Sequence, residues 1–334
     1  MRAAMSASPN TAGNPDPEGE YEDLLGLWSD LESGLSALLS WPLQAQDFAQ
    51  KLRQFDAWLQ DLVAHDIDAA LYLMFQLAST STVGYSASHA LVCGTLCHIM
   101  AHELQLPRPE RDSLVRAALT MNIGMTALQN ELAEQRERPS AMQQQAIDKH
   151  PAAGQALLER LHITDALWLA VVGQHHASSA QRVPLATQTA PARLARILGT
   201  IDRYAAMISP RKSRAGRSAT DSVRAIVGQQ VDQRDELSHA LVRCIGLCPP
   251  GTFVKLDNGD TALVLRRSDK PNHPLVASLL ERNGSPYSRP SLYQTASGKP
   301  RIQFALARSA VSLELDHRTM VRLGLYAAQA CVDE

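Results

Sequence analysis

Apolar residues near the start of the chain recur at three- and four-residue spacing. Leu24, Leu25, Trp28, Leu31, Leu35, Leu38 and Leu39 fall on one stripe, the mark of an amphipathic helix. Gln46 to Asp66 repeats the pattern, so a small helical module is predicted from Tyr21 to about Leu77. The same period runs through Ser88 to Leu106, Glu110 to Met121, Ala141 to Leu161, Thr164 to His176 and Ala192 to Ile208. Ser88 is the expected N-cap of the first of these helices, and Thr164 or Asp165 of the fourth. After a polar basic connection beginning at Ser209, one further helix is expected from Ser222 to about Ile245.

Beyond Pro249 the period shortens to two. Phe253 to Arg266 reads as strand, Asn258-Gly259 turn, strand, a strong hairpin signal. Pro274 to Leu280 and Ser312 to Asp316 are expected to add strands. The chain is thus predicted to be mainly α, a helical bundle with an N-terminal helical module and a small C-terminal β appendage. The expected divisions are a disordered 1–20, the N-terminal module 21–78, the main helical domain 79–247 and the β-containing appendage 248–334. No internal repeat is visible.

Composition narrows the partners. With 334 residues and 45% apolar content, the chain can build a large core and fits two or three domains. A formal net charge of −2 argues against nucleic acid or membrane as the main partner. Five cysteines, an odd number, suggest reduced thiols and not a disulfide framework. No apolar run approaches the roughly 18 residues of a spanning helix, and residues 1–20 lack a signal-like apolar core. A cytoplasmic protein is expected.

The candidate chemistry lies in the helical domain. His89, His150, His175, His176 and Asp202 are mostly far apart in sequence, yet each sits on or at the end of a predicted helix, so a bundle can bring them together. Imidazole and carboxylate suit Fe, Mn or Zn. Two literal motifs are set aside. His65-Asp66 reads as helix surface. Cys93/Cys97 and His98/His102 have zinc-like i, i+4 spacing, but the cysteines continue the His89 stripe inward and the histidines fall on a neighbouring, wetter face.

From about Tyr85 to Leu256 the chain resembles the HD-GYP family, HD-superfamily metal-dependent phosphohydrolases that hydrolyse cyclic di-GMP. The pieces carrying the resemblance are His89, "MNIGM", "KHP", "GQHH" and "DRYAAMISPRKSR", in the family's order. The resemblance implies that His150, His175 and His176 hold one metal, that His89 and Asp202 belong to a second position, and that Arg211 and Arg214 clamp phosphate. It also marks departures. The HD pair falls on Met121 and Asn122, the following lysine on Met125, and the Gly-Tyr-Pro loop is missing after His176. Asn122 cannot bring the charge that holds two cations close, and Met121 is a poor ligand for hard ions.

At most one divalent transition metal is therefore expected. The leading expectation is a catalytically impaired module of bacterial cyclic di-GMP signalling that binds the nucleotide or a protein partner. The alternative is an active phosphodiesterase working through the three-histidine site. A third is a scaffold that has lost both metal and ligand. The N-terminal helices are open to a sensor or homodimer role.

Overall fold

A computed structural model describes residues 17–80, 83–177, 183–213, 216–228, 236–270, 272–298 and 300–330. Three N-terminal helices, α1 (Pro17–Ser40), α2 (Phe48–His65) and α3 (Ile67–Thr80), follow the predicted stripes. Trp28, Leu31, Leu35, Leu52 and Leu59 are fully buried. A Cβ on Gly34 would stand 2.8 Å from the Phe55 ring, so the missing side chain lets α1 and α2 approach closely.

These helices pack on α4 (Tyr85–Glu103), the centre of the molecule. Every residue of α4 from Ser86 to Ala101 is buried, the pattern of a helix enclosed on all sides. Ser88 is not its N-cap. Gly84, at φ 143°, takes that position, and the orphan Ser86 N–H donates to the Asn130 side chain at 2.8 Å. A residue distant in sequence thus supplies the capping oxygen.

Next come α5 (Arg108–Thr120), a 3-10 turn (Ile123–Met125), α6 (Thr126–Glu134), α7 (Ala141–Arg160), α8 (Ala166–Gln174) and α9 (Ala190–Ile208). Ser140 and Gln143 form a capping box at α7. Asp165 caps α8 as expected, accepting from Leu167 and Trp168 N–H. The single helix expected from Ser222 to Ile245 is two, α10 (Ala219–Gly228) and α11 (Glu236–Ile245). They pack on each other, which one straight helix cannot do. Residues 229–235, on which part of that expectation falls, lie outside the described residues.

The C-terminal part is a five-stranded antiparallel sheet, β1 (Phe253–Leu256), β2 (Thr261–Arg266), β3 (Leu275–Leu280), β4 (Pro286–Gln294) and β5 (Ile302–Leu306). Its order is β4-β3-β2-β1-β5. The Asn258-Gly259 turn is present, with Gly259 at φ 94°, a left-handed conformation that favours glycine. Ser312 to Asp316 is irregular, not a strand. Asp316 accepts from Arg318 and Thr319 N–H and starts a last helix, α12 (His317–Ala330). One continuous apolar cluster runs from Leu24 to Val321, and a smaller one, around Val254 and Val264, fills one side of the sheet. Among the described residues no helix is long and apolar enough to cross a membrane.

Candidate metal and anion site

Glycines decide how the histidines meet. A Cβ on Gly124 would stand 2.7 Å from the Gly154 nitrogen and 2.9 Å from the His150 carbonyl. The 3-10 turn after α5 therefore lies directly on α7 at His150. A Cβ on Gly199 would reach 2.5 Å from the His175 carbonyl, so α9 passes equally close to the end of α8. His175 and His176 follow the last residue of that helix.

His150 Nδ1 lies 2.5 Å from the Ile147 carbonyl and His175 Nδ1 lies 2.7 Å from the Val172 carbonyl. A carbonyl only accepts, so each Nδ1 carries the proton and each Nε2 carries a lone pair. The two Nε2 atoms stand 3.1 Å apart. In neutral rings so fixed, two lone pairs face one another, an arrangement a cation resolves. Burial lowers the pKa of both rings, His175 to about 4, with the neighbouring His176 adding to the effect. Both are therefore neutral at pH 7, the form that binds metal. His176 is exposed, its ring 4.2 Å from that of His175 and 5.1 Å from that of His150. Ligand atoms of all three lie within 4.8 Å of one another, so the donors fit one transition metal.

His89 and Asp202 form a second group. His89 Nε2 and Asp202 Oδ1 are 2.8 Å apart, and Cys93, one turn along α4, places Sγ 3.6 Å from the same nitrogen. Burial acts to raise the Asp202 carboxyl. The His89 hydrogen bond and the imidazoles of His89, His175 and His176 outweigh it and hold the carboxyl down to about 2. The carboxylate thus stands charged between both histidine groups.

Arg211 approaches through Tyr85. Its guanidinium donates to the Tyr85 hydroxyl at 2.9 Å and lies 4.7 Å over the ring centre, while the same ring stacks on His89 at 5.6 Å. Arg211 Nε is buried without a partner. Tyr85 thus orients a cation, with one polar atom unused, beside the histidine cluster. Arg214 lies outside the described residues.

The substituted positions lie on and beside the turn that follows α5. Met121 is 1% exposed and belongs to the main apolar core. Asn122 begins the 3-10 turn, its carbonyl accepting from Met125 N–H at 2.8 Å, and Met125 is partly buried at the start of α6. His65 is exposed at the end of α2. His98 corrects the expectation of a wet face. It is buried against Asp56 at 3.1 Å, and Arg116 holds the other oxygen of that carboxylate at 3.3 Å. Cys93 and Cys97 are buried as expected. Sequence reasoning missed Tyr85, whose one signal is its place one helical turn before His89.

Known proteins are similar to this chain over its helical part. The HD domain family matches residues 72–236. The cyclic di-GMP phosphodiesterase PA4108 of Pseudomonas aeruginosa is 24% identical over 185 residues, 55% of this chain. The match covers 45% of that protein, so the chain spans less than half of its length. Bd1817, an HDG"Y"P protein from Bdellovibrio bacteriovorus, superposes with a TM-score of 0.50 at 14% identity, over 69% of this chain and 72% of the other. That likeness is one of fold.

Proposed function

We propose that the chain, whose residues 72–236 match the HD domain family, is an HD-GYP-type cyclic di-GMP-binding regulatory module with an impaired hydrolytic centre. The observation carrying this reading is Met121. Where a catalytic relative needs a ligand imidazole, this side chain is packed in the apolar core. Asn122 beside it brings no charge, so this position cannot hold two cations close together as a carboxylate would. His150, His175 and His176 would hold one divalent ion, Fe, Mn or Zn, whose charge would polarise a phosphate oxygen. Arg211, aimed by Tyr85, supplies the guanidinium for the same phosphate.

The test is a cyclic di-GMP assay on protein loaded anaerobically with Fe²⁺, with Mn²⁺, or with no metal, following product and bound nucleotide together. Binding without turnover is expected. Arg211→Ala should weaken binding by about 1.5–3 kcal/mol, the range for a hydrogen bond to a charged group. Turnover with any metal overturns the impaired reading.

One observation favours a second reading, residual phosphodiesterase activity with a single ion. The facing Nε2 atoms of His150 and His175 are a prepared site. If it hydrolyses, His175→Gln abolishes turnover, and unchanged turnover in that variant sinks the idea. If neither nucleotide nor metal binds, the chain is a scaffold.

A further inference from the structure

His89, Cys93 and Asp202 form a second cluster that differs in kind from the three histidines. We propose that it is a metal position of nitrogen, sulfur and oxygen ligands, selective for a soft divalent ion, zinc foremost, with Cys93 as the ligand that sequence order does not point to. The proposal deepens the HD-type reading of this site and rests on it.

Geometry comes first. His89 and Cys93 are separated by four residues on α4 and so share one face of it. Asp202 faces them from α9. One ligand atom of each lies within 4.8 Å of the other two, and Sγ is 3.6 Å and Oδ1 2.8 Å from the one nitrogen, His89 Nε2. His89 Nδ1 is buried without a partner. Without an ion, His89 Nε2 carries the proton that the Asp202 carboxylate accepts, and the unpartnered Nδ1 is free to take that proton when Nε2, the atom turned to the cluster, meets an ion.

Charge comes next. Three neutral imidazoles bring no negative charge to their ion. Asp202 brings one, and a Cys93 thiolate would bring a second, matching a dication. In that role the thiolate supplies the charge that Asn122 withholds. Ligand softness then sets the preference, because thiolate favours zinc over magnesium, calcium or manganese, and mixed nitrogen, sulfur and oxygen sets are ordinary for zinc. Burial raises the Cys93 thiol well above its usual range, so without an ion it stays protonated. On binding, the Sγ–H bond breaks, the sulfur keeps the electron pair and coordinates the ion, and its proton leaves to solvent; the His89 Nε2–H bond breaks as well, its proton is replaced by one on Nδ1, and the Nε2 lone pair is freed for the ion. Cys97, one turn further on, is buried in the same core but is not in the cluster, so it is the matched control.

The experiment is an anaerobic Co²⁺ titration of the full chain, read by absorption. A cobalt–thiolate bond gives a near-ultraviolet charge-transfer band, and any protein-bound cobalt gives visible ligand-field bands. The expected result is two ions per chain and a charge-transfer band that zinc displaces. The band is lost in Cys93→Ser and kept in Cys97→Ser and His175→Gln. Wild-type protein alone keeps the idea falsifiable should Cys93→Ser fail to fold. Visible bands that His175→Gln removes, with no charge-transfer band, would overturn the cysteine site and leave the three-histidine reading intact. No bound cobalt at all would overturn both.

Discussion

Asn122 is where a single change of charge should be most informative. It begins the turn that Gly124 presses onto α7 at His150, so a carboxylate there would add negative charge close to the histidine cluster. Asn122→Asp is expected to tighten divalent-ion binding on the order of tenfold, about 1.4 kcal/mol, measured by calorimetry against Mn²⁺ or Zn²⁺. An unchanged affinity would mean that the side chain does not reach the ion. Met121→His should behave differently. Its site is apolar and closed, so an imidazole would bury polar nitrogens at a cost of about 1–3 kcal/mol, seen as a lower melting temperature. At this scale the sequence was a good guide wherever chemistry depends on order and helical period. His150, His175 and His176 come together, and so do His89 and Asp202. It failed where function depends on which way a side chain turns. Tyr85 reaches Arg211 and His89 by stacking and a hydroxyl contact, and no pattern of apolar residues encodes that. His98 was misjudged for a related reason. The periodicity of α4 suggests a wet face, but neighbours cover the helix all round and Asp56 meets the imidazole.

Elements hold the site by close approach, and glycine permits it. Gly199→Ala would push a methyl group against the His175 carbonyl, and Gly124→Ala against the backbone of α7. Both obstacles are main chain and cannot swing aside. Each variant is expected to lose about 1–3 kcal/mol, and Gly199→Ala should also weaken metal binding by displacing His175. A Gly26→Ala control, where nothing lies within 4 Å of the added carbon, should leave both quantities unchanged or slightly improved. Asp56 offers a second test. It joins α2 to α4 and α5 by a hydrogen-bond contact with His98 and an ion pair with Arg116, at 1% exposure. Asp56→Ala leaves the buried His98 Nε2 without its partner while Arg116 keeps Asp112 at 3.6 Å, and a loss of about 1–3 kcal/mol is expected, read as a lower melting temperature. Most helices could be located from their period alone. β4 could not, because Pro286, Pro290 and polar residues suit an edge strand and blur the alternation. The break between α10 and α11 was legible, since residues 229–235 carry Val231 as their one apolar residue and the period lapses there.

At the scale of the whole molecule, the N-terminal helices, the bundle and the sheet share one core, and charged contacts fix their relation. Arg266 meets Asp66 at 2.8 Å and Arg267 meets Asp68 at 2.6 Å, tying β2 and the residue after it to the start of α3. α12 then returns to α1 and α3, and His317 Nδ1 lies 2.8 Å from the Tyr72 hydroxyl. A ligand event at His89 thus has a packed route to the sheet, through α4 to α3 and on to β2 and α12. His317 makes that closure sensitive to pH. Burial lowers its pKa, the nearby Arg308 lowers it further, and Asp316 opposes them. In the unfolded chain the imidazole titrates near its ordinary value of about 6.5. The unfolded state therefore binds a proton first as pH falls, so stability from this residue is present above that value. It is lost on descending toward the folded pKa and levels off below it. His317→Gln cannot titrate yet can still hydrogen-bond Tyr72. Between pH 7.5 and 5, thermal unfolding of the wild type should therefore drop more steeply than that of the variant, even though the other histidines titrate in both. Parallel curves would show that the contact between α12 and α3 does not depend on the charge of His317. The route from metal site to sheet would then rest on the arginine–aspartate pairs and the shared core alone.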